Sequence, residues 1–271
     1  RDQHAKLLDK IAGADAVVFD LIFAEPQSSL LGTLNQKQSN NAVGSSAKTM
    51  PKTNKTQAVE TSDREFSLAI KRAGNVILPL FIEAQQFGGL LHEVLPIPTF
   101  ADSAAALGHA HVDFSQQGLA RGLYMREGLG SPYWPHLSVA LASWLDELPD
   151  MVSASDSNLL PDDHSPYEIY RDEYRLLKFI GPRNSISSLS YVDVLAGYVP
   201  KSEWQGKRIF VGATAKGLGD EIPTPMGAMA GVEFHANAYQ AARSDEYIEI
   251  SNRNLHMFVS VLLVLCVAFL L

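Results

Sequence analysis

The chain has 271 residues, enough for one large α/β domain or two small ones with a substantial core. It carries 22 Lys and Arg against 30 Asp and Glu, a formal net charge of −8 with no basic stripe, which argues against a nucleic-acid partner. Its one cysteine, Cys266, lies in a C-terminal apolar run, so the chain before that run has no disulfide framework, thiolate zinc site or cysteine nucleophile.

Along the chain, helix and strand patterns alternate, which predicts an α/β three-layer sandwich with a mainly parallel central sheet. Residues 5–12 have helical spacing, and Gly13 ends them. Residues 16–23 (AVVFDLIF) read as a buried strand interrupted only by Asp20. Residues 27–61 are rich in Ser, Asn, Thr, Gln and Lys, and read as a long flexible insertion that buries too little to offset its ordering entropy. Ser62 and Glu65 form a capping-box pattern ahead of a stripe of Phe66, Ala69, Ile70 and Ala73, with Gly74 as the C′ residue. The next strand, 75–82, contains Pro79, which predicts a sheet edge or a strand end.

Residues 109–114 read as a strand that could form a hairpin with 118–125, held by an Asp113–Arg121 pair. Residues 135–148 make an amphipathic helix carrying Leu137, Leu141, Trp144 and Leu145. The stretch 149–168 reads as a solvated acidic loop without EF-hand spacing. Residues 175–180 form a strand ended by Gly181-Pro182, Ser190 and Asp193 open a helix that Gly197 stops, and 207–214 is the clearest strand. A helix follows over 231–243.

From Phe258 to Leu271 the chain is FVSVLLVLCVAFLL, with Ser260 its only polar residue. We read 255–271 as the start of a transmembrane helix and 1–254 as the domain outside the membrane. Arg1 does not read as a natural start, which predicts a piece of a longer protein.

The densest cluster of unusual residues is Gly212 to Gly231, between a strand and a helix, where open α/β sheets place ligands. Gly212 and Gly217 have P-loop spacing, but Leu218 and Gly219 stand where Lys and Ser or Thr are required. The dinucleotide fingerprint fails at Ile222, so no cofactor is expected. No G-x-S-x-G elbow occurs, and no catalytic residue is assigned. His109 and His111 would share a strand face and His235 lies on a helix, yet no spacing supplies a third metal ligand, so no metal is expected either.

The run VGATAKGLGDEIPTPMG followed by MAGVEFHANAYQ resembles the closing signature of the type-two CHASE domain. ADAVVFDLIFAEP, EFSLAIKRAGNVILPLFIE, GHAHVDFSQQGLARGLYM and FIGPRNSISSLSYVDVLAG resemble further segments of that family, in order. The resemblance implies an extracellular sensory domain followed by transmembrane helices and a cytoplasmic histidine kinase or nucleotide cyclase. It implies a bacterial inner-membrane receptor with this domain in the periplasm or outside the cell. It also implies a homodimer in the full-length receptor, an unidentified small ligand or envelope protein as partner, and the membrane as a partner of Phe258–Leu271. Two other readings stay open: a membrane-tethered α/β hydrolase or nucleotide-binding enzyme, and a passive dimerisation or protein-interaction domain.

The candidate ligand-binding or signalling residues are Asp20, Asp113, Gly212, Thr214, Gly217, Gly219, Asp220, Thr224, His235 and Asn237. Asp20 either lines a site at the sheet end or caps a turn, and Asp220 binds either loop N–H groups or a ligand amine.

Overall fold

A computed structural model describes residues 1–27, 53–84, 89–148, 165–215, 220–249 and 253–270. The sequence pattern places apolar residues on both faces of the first strand, and the structure covers both. Helix α1 (Asp2–Lys10) leads into β1 (Ala16–Asp20), α2 (Thr53–Ala73) and β2 (Val76–Ala84). Then come β3 (Leu91–Val94), the short α3 (Pro98–Ala101), β4 (Ala106–His109), β5 (Gly122–Leu129), β6 (Trp134–Pro135) and α4 (Leu137–Trp144). The remainder is β7 (Ile169–Leu177), α5 (Tyr191–Ala196), a 3-10 turn at Lys201–Glu203, β8 (Arg208–Gly212), β9 (Glu221–Thr224), β10 (Gly227–Ala230), α6 (Gly231–Ser244), β11 (Tyr247–Ile248) and α7 (Arg253–Leu270).

One sheet is built on parallel pairs, β4 with β2, β2 with β1, and β1 with β8, and β3 joins β2 antiparallel. Val17 and Phe19 of β1 face a core with Leu7, Leu8, Phe66, Ile70 and Trp204. Ala16 and Val18 face the other way, toward Leu137, Leu141, Tyr239 and Ala242. This is the period-two alternation of a strand covered by helices on both sides. The parallel sheet is therefore the middle of three layers.

The expectation of a three-layer sandwich around one mainly parallel sheet needs correction, because a second sheet of comparable size is antiparallel, in the order β11-β7-β5-β6. It packs Leu123, Met125 and Leu177 against Val139, Phe234, Ala238 and Ala241. Helices α4 and α6 thus form a layer shared by two sheets, and the molecule has four layers. Ten of the fourteen residues of α6 are buried, as a helix with sheets on opposite sides requires.

Several local expectations change. Helix α2 begins at Thr53, so the polar stretch 27–61 is already helical at its end. Ser62 lies inside the helix rather than capping it: its hydroxyl bonds Gln27 Oε1 at 2.8 Å and also Asp2. Gly74 does close the helix, with φ +68° and its N–H on Ile70 O. Strand β2 is interior, not an edge; its ladder with β1 covers only Val76 and Ile77, so Pro79 interrupts no bond on that side. Residues 109–114 form no hairpin with 118–125. His109 instead ends β4, which lies parallel to β2, and Gly122–Leu129 pairs with β7. Among the described residues no ion pair joins Asp113 to Arg121. Strand β7 begins at Ile169 rather than 175, and residues 149–164 of the acidic loop lie outside the described residues. The stretch after Gly212 contains a hairpin, β9–β10, turning at Pro225-Met226.

Glu147, just beyond α4, ties the layers together. It receives hydrogen bonds from Arg208 of β8 and Tyr239 of α6, and Arg243 lies 3.8 Å away. Helix α7 exposes Met257, Phe258, Val259, Val261, Leu262, Leu263 and Val267 by 45–66%. From Met257 onward its apolar part spans about 20 Å at 1.5 Å per residue, against a hydrocarbon core of about 30 Å. Among the described residues no helix is long and apolar enough to cross a membrane.

Candidate functional site

Strands β1 and β8 end side by side, with Asp20 in register with Gly212. Helix α6 starts against that end. A Cβ on Gly212 would lie 2.6 Å from the Val232 Cβ and 3.3 Å from the Asp20 Cβ, so glycine here lets the first turn of α6 sit on the strand ends. A Cβ on Gly231 would meet Asp220 Oδ1 at 2.5 Å, and the Gly231 N–H donates to the Asp220 carbonyl at 3.1 Å. Two carboxylates, Asp20 and Asp220, therefore converge on the start of α6, where the helix dipole favours negative charge. Burial, followed by the charge of Asp20, pushes the Asp220 carboxyl up, and His235 and the Gly231 N–H oppose this.

His235, one turn into α6, is buried and places Nε2 3.6 Å from Asp20 Oδ1. Behind it two more buried imidazoles continue the line. The His235 and His136 ring centroids are 5.2 Å apart, and those of His136 and His109 are 5.0 Å apart. His136 Nδ1 caps α4, accepting from the Ser138 backbone N–H at 3.2 Å. Among the described residues His136 Nε2 and His235 Nδ1 have no hydrogen-bond partner. Neither ring nitrogen of His109 makes a hydrogen bond of normal geometry, although the backbone of Tyr124 offsets part of its pKa shift. Burial first, then the charges of His111 and His235, lowers the His109 pKa to about 3, and burial with the neighbouring histidines holds His136 well below the ordinary imidazole value.

The line ends on the antiparallel sheet. Arg171 of β7 reaches His111 Nε2 at 3.2 Å and donates through Nε to Glu127 Oε2 at 2.7 Å. Burial lowers the His111 pKa, and Glu127 opposes that.

The candidates from the sequence thus separate. Asp20, Gly212, Asp220 and His235 come together. Asn237 has a structural task, accepting from the Ile180 N–H at 2.9 Å and donating to the Glu233 carbonyl. Thr224 holds the β9–β10 turn, donating to the Gly227 carbonyl and accepting from the Met226 N–H. Thr214 is exposed, and its carbonyl accepts from Arg183. Asp113 lies by Tyr174 and His111: burial and then the Asp113 charge push the Tyr174 pKa up, and the same charge opposes the lowering of His111 by burial. Gly217 and Gly219 lie outside the described residues. Sequence reasoning missed His136, Glu127 and Arg171. The pattern His136-x-Ser138 ahead of an apolar run was the available signal for a cap. Among the described residues no group of three or more His, Cys, Asp or Glu is placed to hold a metal ion.

A family model, the CHASE2 domain, matches residues 1–271. No curated protein and no solved structure matches the chain.

Proposed function

The chain belongs to the CHASE2 domain family of extracellular sensory domains, and from that membership we propose that it senses an external signal for a bacterial transmembrane receptor. The family is sensory rather than catalytic. In this reading the domain stands outside the inner membrane, and α7 continues into a membrane helix whose exposed apolar side chains face lipid. The receptor is a homodimer, its input a small ligand or an envelope protein, and its output a histidine kinase or a nucleotide cyclase.

The observation that carries this reading is the position of α6. It begins at Asp20, Asp220 and His235, runs between both sheets, and leads through β11 into α7 within a few residues. In this reading a signal that changes the carboxylate-lined start of α6 acts on the helix that leads toward α7, the element that leaves the domain. Coupling requires only that a ligand favour one of two packings of this helix.

The test is Gly231→Val in the parent receptor, with kinase or cyclase output as the readout. The new side chain strikes the Asp220 carboxylate and displaces the start of α6 without removing core. Changed basal output from a folded domain is the expected result. Unchanged output from a domain with wild-type circular dichroism sinks the reading.

A further inference from the structure

Most helices of this length are capped by Ser, Thr, Asp or Asn, whose acceptor oxygens do not titrate near neutrality. Helix α4 is capped by an imidazole nitrogen. A backbone N–H can only donate, so the His136 Nδ1 that accepts from Ser138 must be unprotonated, and the ring proton sits on Nε2. The Ser138 hydroxyl, 2.7 Å from the same Nδ1, is then a second donor.

A second proton on the ring can go only to Nδ1. There it turns the acceptor into a donor facing a backbone N–H. The serine hydroxyl can rotate to accept, but the backbone cannot, so the cap is lost. Among the described residues the charges acting on it are those of other histidines. His136 is 0% exposed and faces His109 from β4, His235 from α6 and His111 from the segment after β4. From α4 its ring is hydrogen-bonded by Ser138 alone among the described residues, while its carbonyl accepts from the Ala140 N–H at 2.8 Å. Farther out, Asp20 of β1 faces His235, and Arg171 of β7 with Glu127 of β5 faces His111.

We propose that His136 is a proton-operated latch: its neutral ring fastens the start of α4 at the seam between the two sheets, and protonation at Nδ1 releases it. The proposal rests on the sensory reading above and names the proton as one input. The seam is the right place for such a device. The His109–His136 bridge joins the end of β4 to the start of α4, and the His136 N–H also donates to the Met125 carbonyl of β5. Releasing the latch loosens the contact of both sheets with the shared helix layer. Once the seam opens, the exposed imidazoles titrate near 6.5. Each pH unit below that value shifts the balance toward the open form about tenfold per histidine, and about a hundredfold for His109 and His136 together.

The full chain in detergent or nanodiscs provides the test. Imidazole nitrogen NMR at pH 7.5 is expected to show the His136 proton on Nε2; a proton on Nδ1 overturns the latch. His136→Asn supplies a cap that does not titrate. It is expected to keep the fold at pH 7.5 and to reduce the acid-driven opening by about tenfold per pH unit between 6.5 and 4.5, read from amide exchange at Ser138 and Val139. The same slope as wild type overturns the proposal. If the variant does not fold, the tautomer and the acid-driven opening of those two amides in the wild type decide. A latch that behaves as expected beside an output indifferent to Gly231→Val would remove the sensory reading and leave the latch standing. A responsive output without the pH slope would remove the latch alone.

Discussion

Arg171 donates through Nε to Glu127, a carboxylate with no solvent exposure, across the β5–β7 ladder at 2.7 Å. The other oxygen of that carboxylate has no hydrogen-bond partner among the described residues. Among the described residues Arg171 is the one cation in an ion pair with this buried carboxylate.

Removing that guanidinium is costly because the stranded carboxylate remains. Arg171→Ala is expected to destabilise the domain by about 3 kcal/mol, the lower end for a broken buried pair because Arg171 is partly exposed. Arg171→Met with Glu127→Met should recover most of the loss. Urea denaturation of the two variants checks this, and a double variant no better than the single would show that the pair is not the cause.

Gly212 is tight for a different reason. Its missing Cβ makes room for Val232, so Gly212→Ala is expected to cost roughly 1–3 kcal/mol by overpacking. Adding Val232→Ala should return part of that cost, because the two residues share one contact. Thermal melts of the single and double variants, closed into a mutant cycle, measure the coupling. Strict additivity would rule out the contact as the source.

Acid should weaken the fold even apart from the cluster at the seam. His4 packs against Phe19, Phe23, Phe66 and Tyr191, and burial first, with the charge of Arg1 adding to it, lowers its pKa to about 4. A histidine with a depressed folded pKa binds its proton more readily unfolded. Its stability contribution is complete above about 6.5 and is lost as pH falls from there to about 4. The loss is at most about 1.4 kcal/mol per pH unit from this residue, reduced by solvent screening of its partly exposed ring. Replacing His4 with Gln should lower the slope of unfolding free energy against pH between 6 and 4.5. An unchanged slope would mean His4 does not titrate with unfolding.

The parts of the fold legible in the sequence are those governed by local apolar pattern. AVVFD and RIFVG read as buried strands because each is nearly all apolar and ends at a turn. The helix from Gly231 was legible because a glycine-rich stretch precedes a 3.6-residue stripe. The antiparallel sheet was not legible for the opposite reason. Strands β5 and β7 carry Arg126, Glu127, Arg171, Asp172, Glu173 and Arg175, and their charges look like loop until a distant partner neutralises them. The carboxylate end of the candidate site could be seen, since Asp20 interrupts an apolar run and Asp220 follows glycines. The histidine line could not, because His109, His136 and His235 come from three separate elements. A histidine cap also falls outside the usual capping residues.

The double burial of α6 limits how this domain can be divided or altered. Each sheet borrows its inner surface from the same helix, so cutting the chain into a parallel half and an antiparallel half would leave one of them with an open hydrophobic face. The two halves must therefore fold as one cooperative unit. A substitution on either side of α6 will be felt by both, and tolerance to change should be lowest along this helix and rise toward the outer faces of α1 and α2.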